Sequence, residues 1–127
     1  MKLKLDCVKS VLEEIEGLPI GLHEIATLKK SIVKYGEEDV LYTVTKLSEA
    51  SYINALLTRT EDGRPHIDGI MDLTFAGHEF LNSIRTPGIW ERLKGAANEG
   101  GTECLKAIWE ISVEIIKQTT LKKLGFK

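Results

Sequence analysis

The chain has 127 residues, is 43% hydrophobic and 28% charged, and carries a formal net charge of −2. These totals exclude a disordered polyelectrolyte, and they exclude a globally basic protein drawn to nucleic acid or anionic membrane by net charge alone. The length suits one compact domain with an appendage, large enough to bury a core without disulfides or metals. Cys7 and Cys104 lie far apart with no CxxC or Cys–His ligand spacing, so both read as free thiols in a reducing compartment. The start, MKLKLDCVKSVLEEIEG, lacks the apolar core and cleavage site of a signal peptide. No uncharged apolar run approaches the roughly 20 residues that span a bilayer. The expectation is a cytoplasmic protein with no membrane association.

In chain order, Asp6 is the expected N-cap of a first helix, with Val8, Val11, Leu12 and Ile15 on one side and Gly17 as its stop. Pro19 and Gly21 extend the break. Ile25, Leu28 and Ile32 then suggest a second helix with Lys29, Lys30 and Lys34 on its wet side; a short strand at Leu22 and Ile25 is the less weighted alternative. Gly36 ends that helix. A third runs from about Glu37 to Ala50, with Val40, Val44 and Leu47 inward and Leu41 flanking them. Glu37, Glu38 and Asp39 fall in its first turn, where the helix macrodipole favours negative charge.

Ile53 to Thr60 is rich in β-formers, Asp62-Gly63 signals a hairpin, and Ile67 to Leu73 returns as the partner strand, with Pro65 limiting the pairing. Thr74 caps a following helix in which Phe75, Phe80, Leu81 and Ile84 are expected to pack. Pro87-Gly88 marks a boundary, so the expected organisation is a domain over 1–87 and a helical extension over 88–127. The extension holds a short helix, Ile89 to Ala97, a Gly100-Gly101 joint, and a last helix capped by Thr102. The fold class is mainly α with a small β-hairpin, arranged as a winged helix-turn-helix followed by two C-terminal helices.

The segment LYTVTKLSEASYI is similar to the recognition helix and following strand of bacterial winged-helix regulators, where xYHLxxLxEAGLI is common, and LTFAGHEFLNSIR resembles the LTxxGxxFL segment that closes many such domains. The chain as a whole resembles a family of uncharacterised bacterial and prophage proteins known only as a domain of unknown function. DCVKSVLEEIE, YGEEDVLYTVTKLSEASYI, LTFAGHEFLNSIR and IWERLK match that family's pattern in order over nearly all of residues 5–120. The resemblance implies a winged-helix fold in a mobile-element or host-regulatory setting, and no established activity. Two positions depart from the pattern: Thr43 stands where histidine is usual, and Ser51 where glycine supplies an easy left-handed turn.

The outward residues of a recognition helix enter the major groove, which makes Tyr42, Thr43 and Lys46 candidates for DNA contact. Arg59 and Arg64 at the hairpin, with Lys29 and Lys30 on the preceding helix, complete a candidate basic edge. Against this, no arginine lies on the third helix, and residues 1–87 hold 10 Lys+Arg against 14 Asp+Glu, while 88–127 hold 7 against 5. The expected function is a winged-helix DNA-binding protein, a transcriptional regulator of phage or mobile-element origin; the alternative is a winged-helix module that binds protein and never duplex DNA.

No enzyme is expected. His23, His66 and His78 sit on three separate elements without a second ligand at helical spacing, and His78 reads as structural beneath the wing. No phosphate-binding glycine loop or nucleophile elbow is present, and no metal or cofactor is implied. The last helix carries a broad apolar stripe, and Leu105, Ile108, Trp109, Ile115 and Ile116 are the candidate dimerisation residues. Packing of that helix back onto the first domain is the alternative.

Overall fold

The computed structural model describes residues 3–86, 88–92 and 94. Their order is α1 (Leu5–Glu16), a 3-10 turn (Ile25–Thr27), α2 (Lys29–Tyr35), α3 (Glu37–Glu49), β1 (Ile53–Arg59), β2 (Pro65–Leu73) and α4 (Phe75–Ile84). Residues 89–92 are again helical. This is a helix-rich α+β fold with one antiparallel hairpin, in a winged-helix-like layout.

α1 is the central element. Cys7, Val8, Val11, Leu12 and Ile15 recur at helical spacing and are all buried, and this stripe packs on α2, α3, α4 and β2. The helix begins two residues earlier than expected from a cap at Asp6. Lys4 holds the cap position without a side-chain bond to the helix's free amides, and Asp6 lies inside the first turn, paired with Lys94 at 3.3 Å. α2 is short, and Leu28 at its cap position supplies no side-chain capping bond. Its free N-terminal amides are satisfied from a distance, because the Glu14 carboxylate on α1 accepts from the backbone N–H groups of Lys30 and Ser31. The Ser31 hydroxyl, fully buried, meets Ser10 at 2.7 Å.

Gly36 alone separates α2 from α3, at φ 91, so the two helices turn sharply with almost no linker. Val40, Val44 and Leu47 of α3 are fully buried, as their spacing predicts. The hairpin pairs Ile53 with Leu73 at its base and Arg59 with Pro65 near its tip, and β2 carries an extra residue between Asn54/Ala55 and between Leu56/Leu57. Pro65 thus opens the strand instead of limiting it, which is tolerated because a first residue needs no ladder N–H. Gly63 takes φ 83 in the turn. On its other side β2 meets the segment before α2: His23 and Ile70 exchange backbone hydrogen bonds at 2.8 and 2.7 Å. The short strand given less weight in the sequence is therefore present as a single bridge, one residue from Leu22.

α4 closes the domain. Thr74 accepts from the Gly77 N–H as the expected cap, and Phe80, Leu81 and Ile84 are buried. Phe75 is 79% exposed, contrary to its expected packing, because it lies on the opposite side of the helix from Ile84. The Phe80 ring stacks on Tyr52 at 5.0 Å. Ser51 has φ 63, a left-handed conformation that glycine would adopt freely.

Candidate functional site

α3 and the hairpin form one surface, and its cations are already engaged by its own carboxylates. Lys46 reaches Glu49 at 3.0 Å, one turn along the helix, and sits over the Tyr42 ring at 5.4 Å. Arg59 bonds Glu49 at 3.2 Å and the Gly63 carbonyl at 3.1 Å. Arg64 grips the Glu38 carboxylate through both guanidinium nitrogens. That pairing, with the Glu38 charge beside it, holds the Arg64 guanidinium above its usual value. The two arginines of the hairpin thus tie it to the first and last turns of α3. The structure brings Tyr42, Lys46, Arg59 and Arg64 into one region. Of their partners, Glu49 is the residue that sequence reasoning did not single out, and Glu38 was read only as a first-turn acid of α3. The spacing of Lys46 and Glu49 was the one available signal.

Thr43 does not belong to this surface. It is 2% exposed and faces α1, with its hydroxyl within 2.7 Å of the Asp39 carbonyl and 3.3 Å of Cys7 Sγ. A hydroxyl that donates back to the carbonyl four residues earlier needs no water, so threonine can occupy the inner stripe. The expectation of an outward Thr43 is corrected on that ground. Burial pushes the Cys7 thiol up from its ordinary value, the Asp39 charge adds to the rise, and the bond from Thr43 opposes it. Asp39 also accepts from Lys4 at 2.7 Å, and that bond and its charge raise the Lys4 ammonium.

Lys29, Lys30 and Lys34 are exposed on α2. Among the described residues none of the three has a carboxylate ion-pair partner, and Lys34 lies over the Tyr35 ring at 5.5 Å. They stand apart from the α3 pairs. His23 bonds the Pro19 carbonyl at 2.8 Å and His66 meets Asp68 at 3.3 Å. His78 is exposed on α4, not tucked beneath the hairpin. Among the described residues no group of three or more His, Cys, Asp or Glu side chains is arranged to hold a metal ion. No helix among them is long and apolar enough to cross a membrane.

Two hollows open on the surface. The larger, about 560 Å³, lies between α1 and α2 beside Trp90, and its charged lining is balanced: Asp6, Glu13 and Glu14 against Lys9, Lys30 and Lys34. The smaller, about 300 Å³, lies beside the tip-side end of β2, with Ile25, Ile32, Leu41 and Ile67 in its wall and Glu37 and Arg64 at its edge. The candidate dimerisation residues Leu105, Ile108, Trp109, Ile115 and Ile116, together with Cys104 and Leu93, lie outside the described residues.

Comparison with curated proteins and with solved structures gives no significant match. A family model described as "Hypothetical protein (DUF2513)" matches residues 2–103. With most of its length inside that match, the chain belongs to this family.

Proposed function

We propose that the chain is a winged-helix module whose α3–hairpin surface binds protein and not duplex DNA. The observation that carries this reading is the internal neutralisation of the surface: Lys46 and Arg59 share Glu49, and Arg64 is held by Glu38. Gripping phosphate with these side chains requires breaking pairs already made, next to carboxylates that repel the DNA backbone. Large apolar side chains exposed on neighbouring elements, Leu22, Val33 and Leu56 among them, suit a protein partner.

A second reading, a DNA-binding regulator of phage or mobile-element origin, draws on one specific observation. Lys29, Lys30 and Lys34 are exposed on the helix that in helix-turn-helix proteins crosses the phosphate backbone. Fluorescence anisotropy with mixed-sequence duplex DNA at low and moderate salt separates the two. The protein-binding reading expects no association even at low salt. Binding with a steep negative salt slope, reduced by Lys29→Glu with Lys30→Glu, overturns it in favour of the second. Under either reading the apolar stripe of residues 102–119 is proposed to pair two copies. Sedimentation showing a monomer at high concentration rejects that pairing.

A further inference from the structure

We infer that the outer edge of β1 is a site of strand addition, where a second copy of this chain pairs its own β1 antiparallel about Leu56. The two edges of the hairpin sheet differ. On the β2 side, Ile70 gives both its N–H and its C=O to His23, and both extra residues of the register lie in β2. On the other side, no backbone segment among the described residues apart from β2 pairs with β1. Ala55 stands opposite Ile70. Because Ile70 turns its polar groups to His23, Ala55 turns its own to the outer edge, and alternation along the strand sends those of Ile53 and Leu57 the same way. A row of unpaired backbone donors and acceptors is matched by another extended strand. Exposed edges are usually guarded by lysine, proline, a bulge or shortness. β1 has none of these guards: it is 7 residues long, regular, free of proline, and uncharged from Ile53 to Thr58.

The outer face beside this edge is apolar at its middle. Leu56 is 49% exposed, and Gly69 lies across from it in β2. Leu22, 57% exposed, occupies the space that a Cβ on Gly69 would take. Residues opposite one another point to the same face, so Leu22 and Leu56 form one apolar strip that crosses the sheet and stops at the bare edge. The sequence of β1 selects a second copy to continue it. Pairing about Leu56 sets Leu56 against the second copy's Leu56, in the closer, non-hydrogen-bonded arrangement. Asn54 then meets the second copy's Thr58, and Ala55 meets its Leu57, so the outward backbone groups bond to each other. Each Arg59 falls opposite Ile53 at a far end, which keeps the two cations apart. A slide toward the tip moves the arginines together, and a slide toward the base sets Leu56 against asparagine. This pairing does not depend on what the α3–hairpin surface binds, nor on the stripe of residues 102–119.

The test uses the full chain. Exchange of the Ala55 and Leu57 amides with deuterated solvent is followed by NMR at low and high protein concentration. The Leu56 amide, turned toward β2, serves as the protected reference. Pairing is expected to slow Ala55 and Leu57 about tenfold at high concentration. In a mixture of labelled and unlabelled protein, contacts between Leu56 methyl groups of different copies are expected. Leu56→Lys sets two like charges face to face and should abolish the slowing, with the melting midpoint kept because the side chain is half exposed. Ala55 and Leu57 amides that exchange freely at every concentration overturn the proposal. They do so even where sedimentation shows a dimer, which the C-terminal stripe would then hold. Slowing that survives Leu56→Lys overturns it too, as does slowing without contacts between the Leu56 methyls of different copies.

Discussion

The inner and outer sides of α3 meet their neighbours in different ways. Inward, Val40, Val44 and Leu47 are fully buried against α1, and Thr43 satisfies its hydroxyl within its own helix and on Cys7. Outward, the helix is joined to the hairpin by side chains that stay wet: Arg64 is 53% exposed and its partner Glu38 63%, and the Arg59–Glu49 pair is 51% and 42%. Burial of apolar surface and close packing hold the inner side. Exposed ion pairs contribute little to stability and weaken with salt, but they set where the hairpin lies. Substitutions on the inner side should therefore change global stability, whereas those on the outer side should change local geometry and binding.

The sharpest way to break that contrast is at Thr43. Thr43→Arg forces a charged, larger side chain into the seam between α1 and α3, and a loss of more than about 3 kcal/mol is expected in urea unfolding. An outward Thr43, as expected of a recognition helix, would accept arginine at little cost. A near-native midpoint for this variant would reverse the assignment of the two sides.

Gly77 tests the next layer, where α4 meets the corner between α3 and β1. A Cβ built there would stand 1.9 Å from the Tyr52 carbonyl oxygen, which is backbone and cannot rotate away. That carbonyl already accepts from the Thr74 N–H at 3.0 Å. Gly77→Ala is expected to cost about 1–3 kcal/mol through this overlap. An equally small residue on the outer face, Ala50→Gly for instance, should cost less than about 1 kcal/mol. Equal losses from the two changes would remove the distinction between packed and wet surfaces.

The features legible in the sequence were those set by local chemistry. Periodicity placed the buried stripes of α1 and α3, Asp62-Gly63 placed the turn, and Thr74 placed the α4 cap. Thr43 was misread because it was judged by polarity. Its position, three residues after Val40 and four before Leu47, already put it on the apolar stripe. Phe75 was misread in the opposite sense, as apolar and therefore inward. The pairing of Arg64 with Glu38, 26 residues apart, depends on how the hairpin leans over α3, which no local pattern encodes. The hollow beneath it follows from the same lean, and its wall draws on four separate segments.

Ser51 lies between the two regions, at the corner joining α3 to β1. Its φ of 63 costs a non-glycine residue about 1–2 kcal/mol, partly offset because glycine loses more freedom on folding. Ser51→Gly should raise stability by about 0.5–1 kcal/mol, read as a higher unfolding midpoint with an unchanged urea slope. The gain should leave the hairpin's ion pairs untouched, since the Ser51 carbonyl that accepts from Thr74 is backbone and survives the change. A lower midpoint would mean that the corner is not strained.

The smallest effect separates the regions by pH. At the hairpin tip the Asp62 carboxyl is held below its ordinary 3.8, first by the Thr60 hydroxyl and then by the Arg64 N–H. A depressed carboxyl contributes its order fully above that ordinary value and loses it as pH falls through the lower, folded value. The Cys7 thiol is raised above its ordinary 9.0 by burial, so its contribution is intact below 9.0 and declines as pH rises beyond that, where only the unfolded thiol ionises readily. The tip should therefore loosen in acid and the seam in alkali. The acid change is expected as shifts at the Thr60 and Arg64 amides with little movement of the global unfolding midpoint, and it should vanish in Asp62→Asn, which keeps an acceptor oxygen but does not titrate. The alkaline change is expected in the global midpoint and should vanish in Cys7→Ala. If acid moved the global midpoint through Asp62, the tip would be coupled to the core, and the wet, ion-paired side of α3 would be holding the fold after all.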